Sequence, residues 1–70
     1  MNEQISIQLN GEPRRLPGGQ NIEELLQSLE LQPRLIVVEH NGDILRRERY
    51  PEVQVADGDA LELVHFVGGG

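Results

Sequence analysis

Apolar and polar residues alternate along Ile5-Ser6-Ile7-Gln8-Leu9, the two-residue period of a strand with one face covered. Asn10-Gly11 follows at once, and both residue types tolerate positive φ, so the pair predicts a tight hairpin turn. Glu12 to Leu16 is then the returning strand, with Leu16 as its inward anchor. Pro13 confines that strand to a sheet edge, because it has no N–H to give a second neighbour. Pro17-Gly18-Gly19 closes the hairpin, and beyond it the period changes. Ile22, Leu25, Leu26 and Leu29 recur at the spacing of one helical face, predicting a helix over Asn21 to Leu31. Asn21 is a cap and Glu24 completes a capping box, while Glu23 and Glu24 place negative charge at the positive end of the helix dipole. Gln32-Pro33 is its expected stop, since the residue before proline avoids the α region.

The β-branched run Leu35-Ile36-Val37-Val38-Glu39-His40 predicts an interior strand. A second Asn-Gly pair, Asn41-Gly42, turns it back into a short strand through Ile44 and Leu45. Arg46 to Pro51 reads as a solvated loop of mixed charge, and Glu52 to Val55 as a brief extended piece. Asp57-Gly58-Asp59 is a structural turn before a last strand from Ala60 to Val67. Two hairpins around one helix, closed by a final strand, give the order ββ-α-ββ-β. For the first and last strands to lie under the same helix they must be parallel neighbours in mid-sheet, which the right-handed crossover rule permits. The expected fold class is α+β, a β-grasp: a mixed sheet with one helix packed across it. Residues 1–67 form the domain and residues 68–70 a flexible glycine arm.

The same alternation assigns faces. Leu61 and Leu63 turn toward the helix stripe, together with Ile5, Ile7, Leu9, Ile36 and Val38. Glu62, Val64 and Phe66 then point to the uncovered face, where Val37 and Glu39 of the neighbouring strand join them. Phe66 is the only phenylalanine, two residues before the glycines. These five residues are the expected partner-docking patch, with the acidic side chains steering the approach.

Composition narrows the chemistry. At 70 residues the chain is one small domain with little core from which to shape a catalytic pocket. No Ser/His/Asp set or paired carboxylates suggest catalysis, so an enzyme is not expected. Cysteine is absent, which removes disulfides, a thiol nucleophile and any persulfide on the chain itself. His40 and His65 lack a metal-binding spacing, and no zinc or other metal site is expected. The net charge of −6 repels phosphate backbones, so nucleic acid is not expected as a partner, whereas a basic protein surface is. Every cation is an arginine; without lysine, only the N-terminal amine could be acylated. No long apolar span or signal peptide stands out, so a cytoplasmic protein without membrane contact is expected.

The stretch His65-Phe66-Val67-Gly68-Gly69-Gly70 organises the chain. Three glycines after a strand contribute nothing to a core. They admit two readings: a frayed terminus, or a side-chain-free arm that reaches roughly 10 Å into a partner's active site.

The chain resembles the ThiS family, the sulfur carriers of thiamine thiazole biosynthesis, with a ubiquitin-like fold. The resemblance rests on Ile5 to Gly11, Val37 to Gly42, Asp57 to Val64, and the ending His65 to Gly70. It implies that Gly70 is the covalent carrier position, with Gly68 and Gly69 giving access. A partner E1-like adenylating enzyme uses ATP to activate the Gly70 carboxylate, and a persulfide donor converts it to a thiocarboxylate. Thiazole synthase then accepts the sulfur. The carrier itself binds no cofactor. Molybdopterin-type and tRNA-thiolation sulfur carriers, and ubiquitin-like modifiers, share this activation and are the alternative the resemblance leaves.

Overall fold

The structure is a computed structural model and describes residues 3–65. Strand β1 (Gln4–Leu9) and strand β2 (Glu12–Pro17) form the first hairpin, with Ile5 opposite Leu16 and Leu9 opposite Glu12. The turn works as its sequence requires: Asn10 and Gly11 take φ of 53° and 81°, the left-handed pair that matches strand twist. Helix α1 (Ile22–Ser28) follows, then β3 (Ile36–His40), β4 (Asp43–Leu45) and β5 (Ala60–His65). The sheet order is β2-β1-β5-β3-β4. β5 is parallel to β1 and antiparallel to β3, so the first and last strands are neighbours in mid-sheet, and β2 lies at an edge as Pro13 requires. With one helix across one face, this is a β-grasp of the α+β class.

The helix stripe and the inward strand positions close on one another. Ile22, Leu25 and Leu26 are buried against Ile7, Leu9, Ile36, Val38 and Leu61, with Leu16 and Val55 closing the ends. Ile5, Leu29 and Leu63 are only partly buried and pack against this core.

The helix starts as expected and stops early. Asn21 Oδ1 accepts from Glu24 N at 2.7 Å, and Glu24 Oε1 accepts from Asn21 N at 3.0 Å, a complete capping box. The expected extent to Leu31 is corrected to Ser28. Glu30 adopts φ of 63°, and Leu31 N returns to Leu26 O at 2.9 Å, which closes the helix and lets Leu31 pack on the core. Pro33 instead opens a 3-10 turn, Pro33–Leu35.

A second correction concerns Arg46 to Pro51. Its arginines are exposed and it contains a 3-10 turn, Arg47–Arg49, but Tyr50 is 2% exposed and belongs to the core. Its Oη donates to Ile36 O at 2.7 Å, and burial pushes the phenol above its ordinary pKa. The stretch is thus a loop with one anchoring aromatic. The extended piece expected over Glu52 to Val55 reduces to a bridge between Gln54 and Asn21, which lays this segment beside the helix start.

Candidate functional site

Among the described residues nothing covers the face of the sheet opposite α1, and pairing places four expected patch residues on it as two cross-strand pairs. Val37 stands opposite Val64, and Glu39 opposite Glu62. Val37 and Val64 are 40% and 58% exposed, a large apolar surface for β-branched residues in central strands. Ile44, opposite Glu39 on β4, adds a third at 70% exposure. The sequence alone does not declare the face of Ile44, because β4 has only three residues, too few for alternation to show one. Among the described residues, these three are the exposed large hydrophobics, and all belong to one face. Phe66, and the glycines at 68, 69 and 70, lie outside the described residues.

Glu39 and Glu62 are like charges directly opposed on adjacent strands, an arrangement that costs stability. Neither forms an ion pair among the described residues. The patch therefore combines three exposed apolar side chains with two carboxylates that have no ion-pair partner among the described residues.

The position of this patch depends on how β5 is set, and polar side chains at the Asp57-Gly58-Asp59 turn fix it. Asp57 Oδ1 accepts from Ser6 N at 2.7 Å, and Gly58 N donates to Ser6 O at 2.8 Å, which lashes the turn to β1. Asp59, almost fully buried, is a hub. Its carboxylate accepts from Ala56 N at 2.9 Å and Asn41 Nδ2 at 3.1 Å, and it pairs with His40 Nε2 at 2.9 Å. Burial alone would raise its pKa. The Ala56 N–H and the His40 and Asn41 side chains outweigh that effect and hold the carboxyl below its ordinary range. The turn is structural, as its sequence implied; the side-chain partners of Asp59, His40 and Asn41, were not legible, because they come from β3 and its turn.

Among the described residues no three His, Cys, Asp or Glu side chains gather to hold a metal, and no helix is long and apolar enough to cross a membrane.

Against known proteins, the profile of the ThiS family matches residues 7–70. The chain is 43% identical over 65 residues to the sulfur carrier protein ThiS of Bacillus subtilis, covering 91% of this chain and 98% of that protein. It superposes on the crystal structure of a Geobacter metallireducens thiamine biosynthesis protein (ThiS) with a TM-score of 0.80. There the identity is 39%, over 94% of this chain and 100% of that one. It is also 39% identical over 66 residues to a thiazole synthase of Magnetococcus marinus, matching 94% of this chain but 20% of that longer protein. The fold, the length of the match and the level of identity agree: this chain belongs to the ThiS family, the sulfur carriers of thiamine biosynthesis.

Proposed function

We propose that Gly70 carries the sulfur on its α-carboxylate and that the open sheet face delivers it. A carboxylate is ionised at neutral pH and is a poor acyl donor until it has a better leaving group. An E1-like adenylating enzyme supplies one: the Gly70 carboxylate attacks ATP, releasing pyrophosphate and forming an acyl-adenylate. The terminal sulfur of a protein persulfide attacks the acyl carbon and AMP departs. A thiol then cleaves the resulting acyl disulfide, leaving a thiocarboxylate on Gly70 and a disulfide on the donor. Thiazole synthase takes the sulfur from there, in the cytoplasm.

The observation that carries this reading is the family match, which runs through Gly68, Gly69 and Gly70. The absence of cysteine supports it, since the chain has no thiol on which to hold sulfur otherwise. A domain like this one also forms part of longer chains named thiazole synthase, which supports that enzyme class as the acceptor. For docking, Val37 and Val64 with Phe66 form the apolar contact, Ile44 extends it, and Glu39 and Glu62 select a basic rim on the partner.

The test is intact mass after incubation with the adenylating enzyme, ATP and a persulfide donor. One oxygen-to-sulfur exchange is expected, and none after deletion of Gly69 and Gly70. Sulfur acquired by the truncated chain would refute the assignment to Gly70. Deletion of the gene separates the pathways: a thiamine requirement supports thiazole formation, and loss of tRNA thiolation alone supports the alternative carrier role.

A further inference from the structure

Four of the six arginines, Arg34, Arg46, Arg47 and Arg49, lie in or immediately before the two 3-10 turns, the second of which ends at Tyr50. In an acidic chain that segregation is notable on electrostatic grounds, because acidic groups are abundant enough to neutralise every arginine locally. Arg49 does pair with Glu52 at 2.9 Å, whereas Arg34, Arg46 and Arg47 form no ion pair among the described residues. Glu23 and Glu48 border the same region without closing on the guanidinium groups.

These arginines line a groove. Three adjoining hollows of about 630, 350 and 310 Å³ share Arg47, and Arg34 borders the two smaller ones. The floor is rigid: Tyr50 is tied through its Oη to Ile36 O, and its carbonyl accepts from Glu23 N at 3.2 Å. The smallest hollow lies beside β3 and β4, where Leu35, Ile44 and Leu45 provide apolar walls, and among the described residues β4 has a neighbouring strand on one side only. An unpaired strand edge offers backbone hydrogen bonds to an extended peptide. Guanidinium groups offer paired N–H donors to carboxylates.

We propose that this groove receives an extended acidic segment of a partner protein. Its backbone lies along the outer edge of β4. Its side chains on one face are carboxylates held by Arg34 and Arg47, and those alternating with them are apolar groups set against Ile44 on the other face. This surface goes beyond the carrier assignment and does not rest on it.

The experiment titrates the isotopically labelled full chain with a capped hexapeptide of alternating glutamate and valine, read by amide chemical shifts. Saturable shifts are expected at Arg34, Asp43 to Leu45 and Arg46 to Tyr50. Arg47→Gln and Arg34→Gln should each weaken binding about tenfold or more. Arg14→Gln and Arg15→Gln, on the opposite edge strand, should leave it unchanged. Melting temperatures of all four variants verify that each remains folded. Equal binding of a glutamine-for-glutamate peptide, equal losses from the β2 arginines, or no saturable shift would each overturn the proposal. So would displacement of the peptide by millimolar inorganic phosphate or by a short oligonucleotide, either of which assigns the groove to phosphate. Dimerisation of the free chain through β4 would assign it to a second copy instead.

Discussion

Asn10 and Asn41, the leading residues of the two hairpin turns, hold β5 from opposite sides. Both sit at φ of 53°. Asn10 Oδ1 accepts from Leu63 N at 2.8 Å, and Asn41 Oδ1 accepts from Ala60 N at 2.8 Å. The hairpin turns thus also dock the last strand, each through a side-chain carbonyl that stands in for a missing ladder partner. Asn10→Gly and Asn41→Gly keep the left-handed backbone accessible while removing these bonds. Each is expected to cost about 1–3 kcal/mol, with Asn41→Gly the larger because it also strips Asp59 of a donor. Chemical denaturation measures both; equal stability to the parent chain would show that the turns act through backbone alone.

Asp59 makes the stability acid-sensitive in a definite direction. Its folded-state pKa lies below the ordinary value of 3.8, so the native state binds the proton more weakly than the unfolded chain does. The stabilisation is complete above that ordinary value and is lost as pH falls through the lower native one. Asp59→Asn is expected to lower stability at neutral pH and to flatten the acid limb of the stability curve. Melting temperatures at stepped pH from neutral to acid for both chains test this, and parallel curves would contradict it.

Core truncation should separate two leucines of one strand. Leu61 is 1% exposed, whereas Leu63 is only partly buried. Leu61→Ala is expected to cost about 2–5 kcal/mol, enough to threaten a domain of this size, and Leu63→Ala clearly less. The ranking is checked by urea midpoints, and a reversal would place β5 out of its observed register.

The opposed glutamates yield effects of opposite sign on two measurements. Glu39→Gln and Glu62→Gln each remove a like-charge contact and are expected to raise stability by about 0.2–1 kcal/mol. The same substitutions are expected to weaken docking on thiazole synthase and to reduce its dependence on salt. Val64→Ala should weaken docking while scarcely altering the melting temperature, since Val64 is exposed. Titration calorimetry at two salt concentrations reads all three, and docking of wild-type strength in every variant would remove this face from the partner interface.

How much of this was legible follows from the range of the interactions. The period-two runs of β1 and β5 declare their buried faces within the strand, and the Asn-Gly pairs declare their turns within two residues. Tyr50 carries no such signal: it stands in a run of arginines and glutamate, and only the helix and β3 arriving beside it make it core. The helix end was misplaced for a related reason. Gln32-Pro33 is the stop signal the sequence offers, which carries the helix to Leu31, but the core receives Leu31 after a left-handed Glu30 rather than on a further helical turn. The pairs Val37–Val64 and Glu39–Glu62 could be inferred as sharing a face; that they stand directly opposite is a matter of register between strands far apart in sequence.

The place of β5 between β1 and β3 also has a mechanical consequence. A pull applied at His65 along the axis of β5 acts on a central strand whose ladder to β3 runs from Leu61 to His65. Such a load falls on several hydrogen bonds at once, in shear, rather than on one bond at a time as in peeling an edge. A pull of that kind would therefore tow the whole domain before it unravelled a strand.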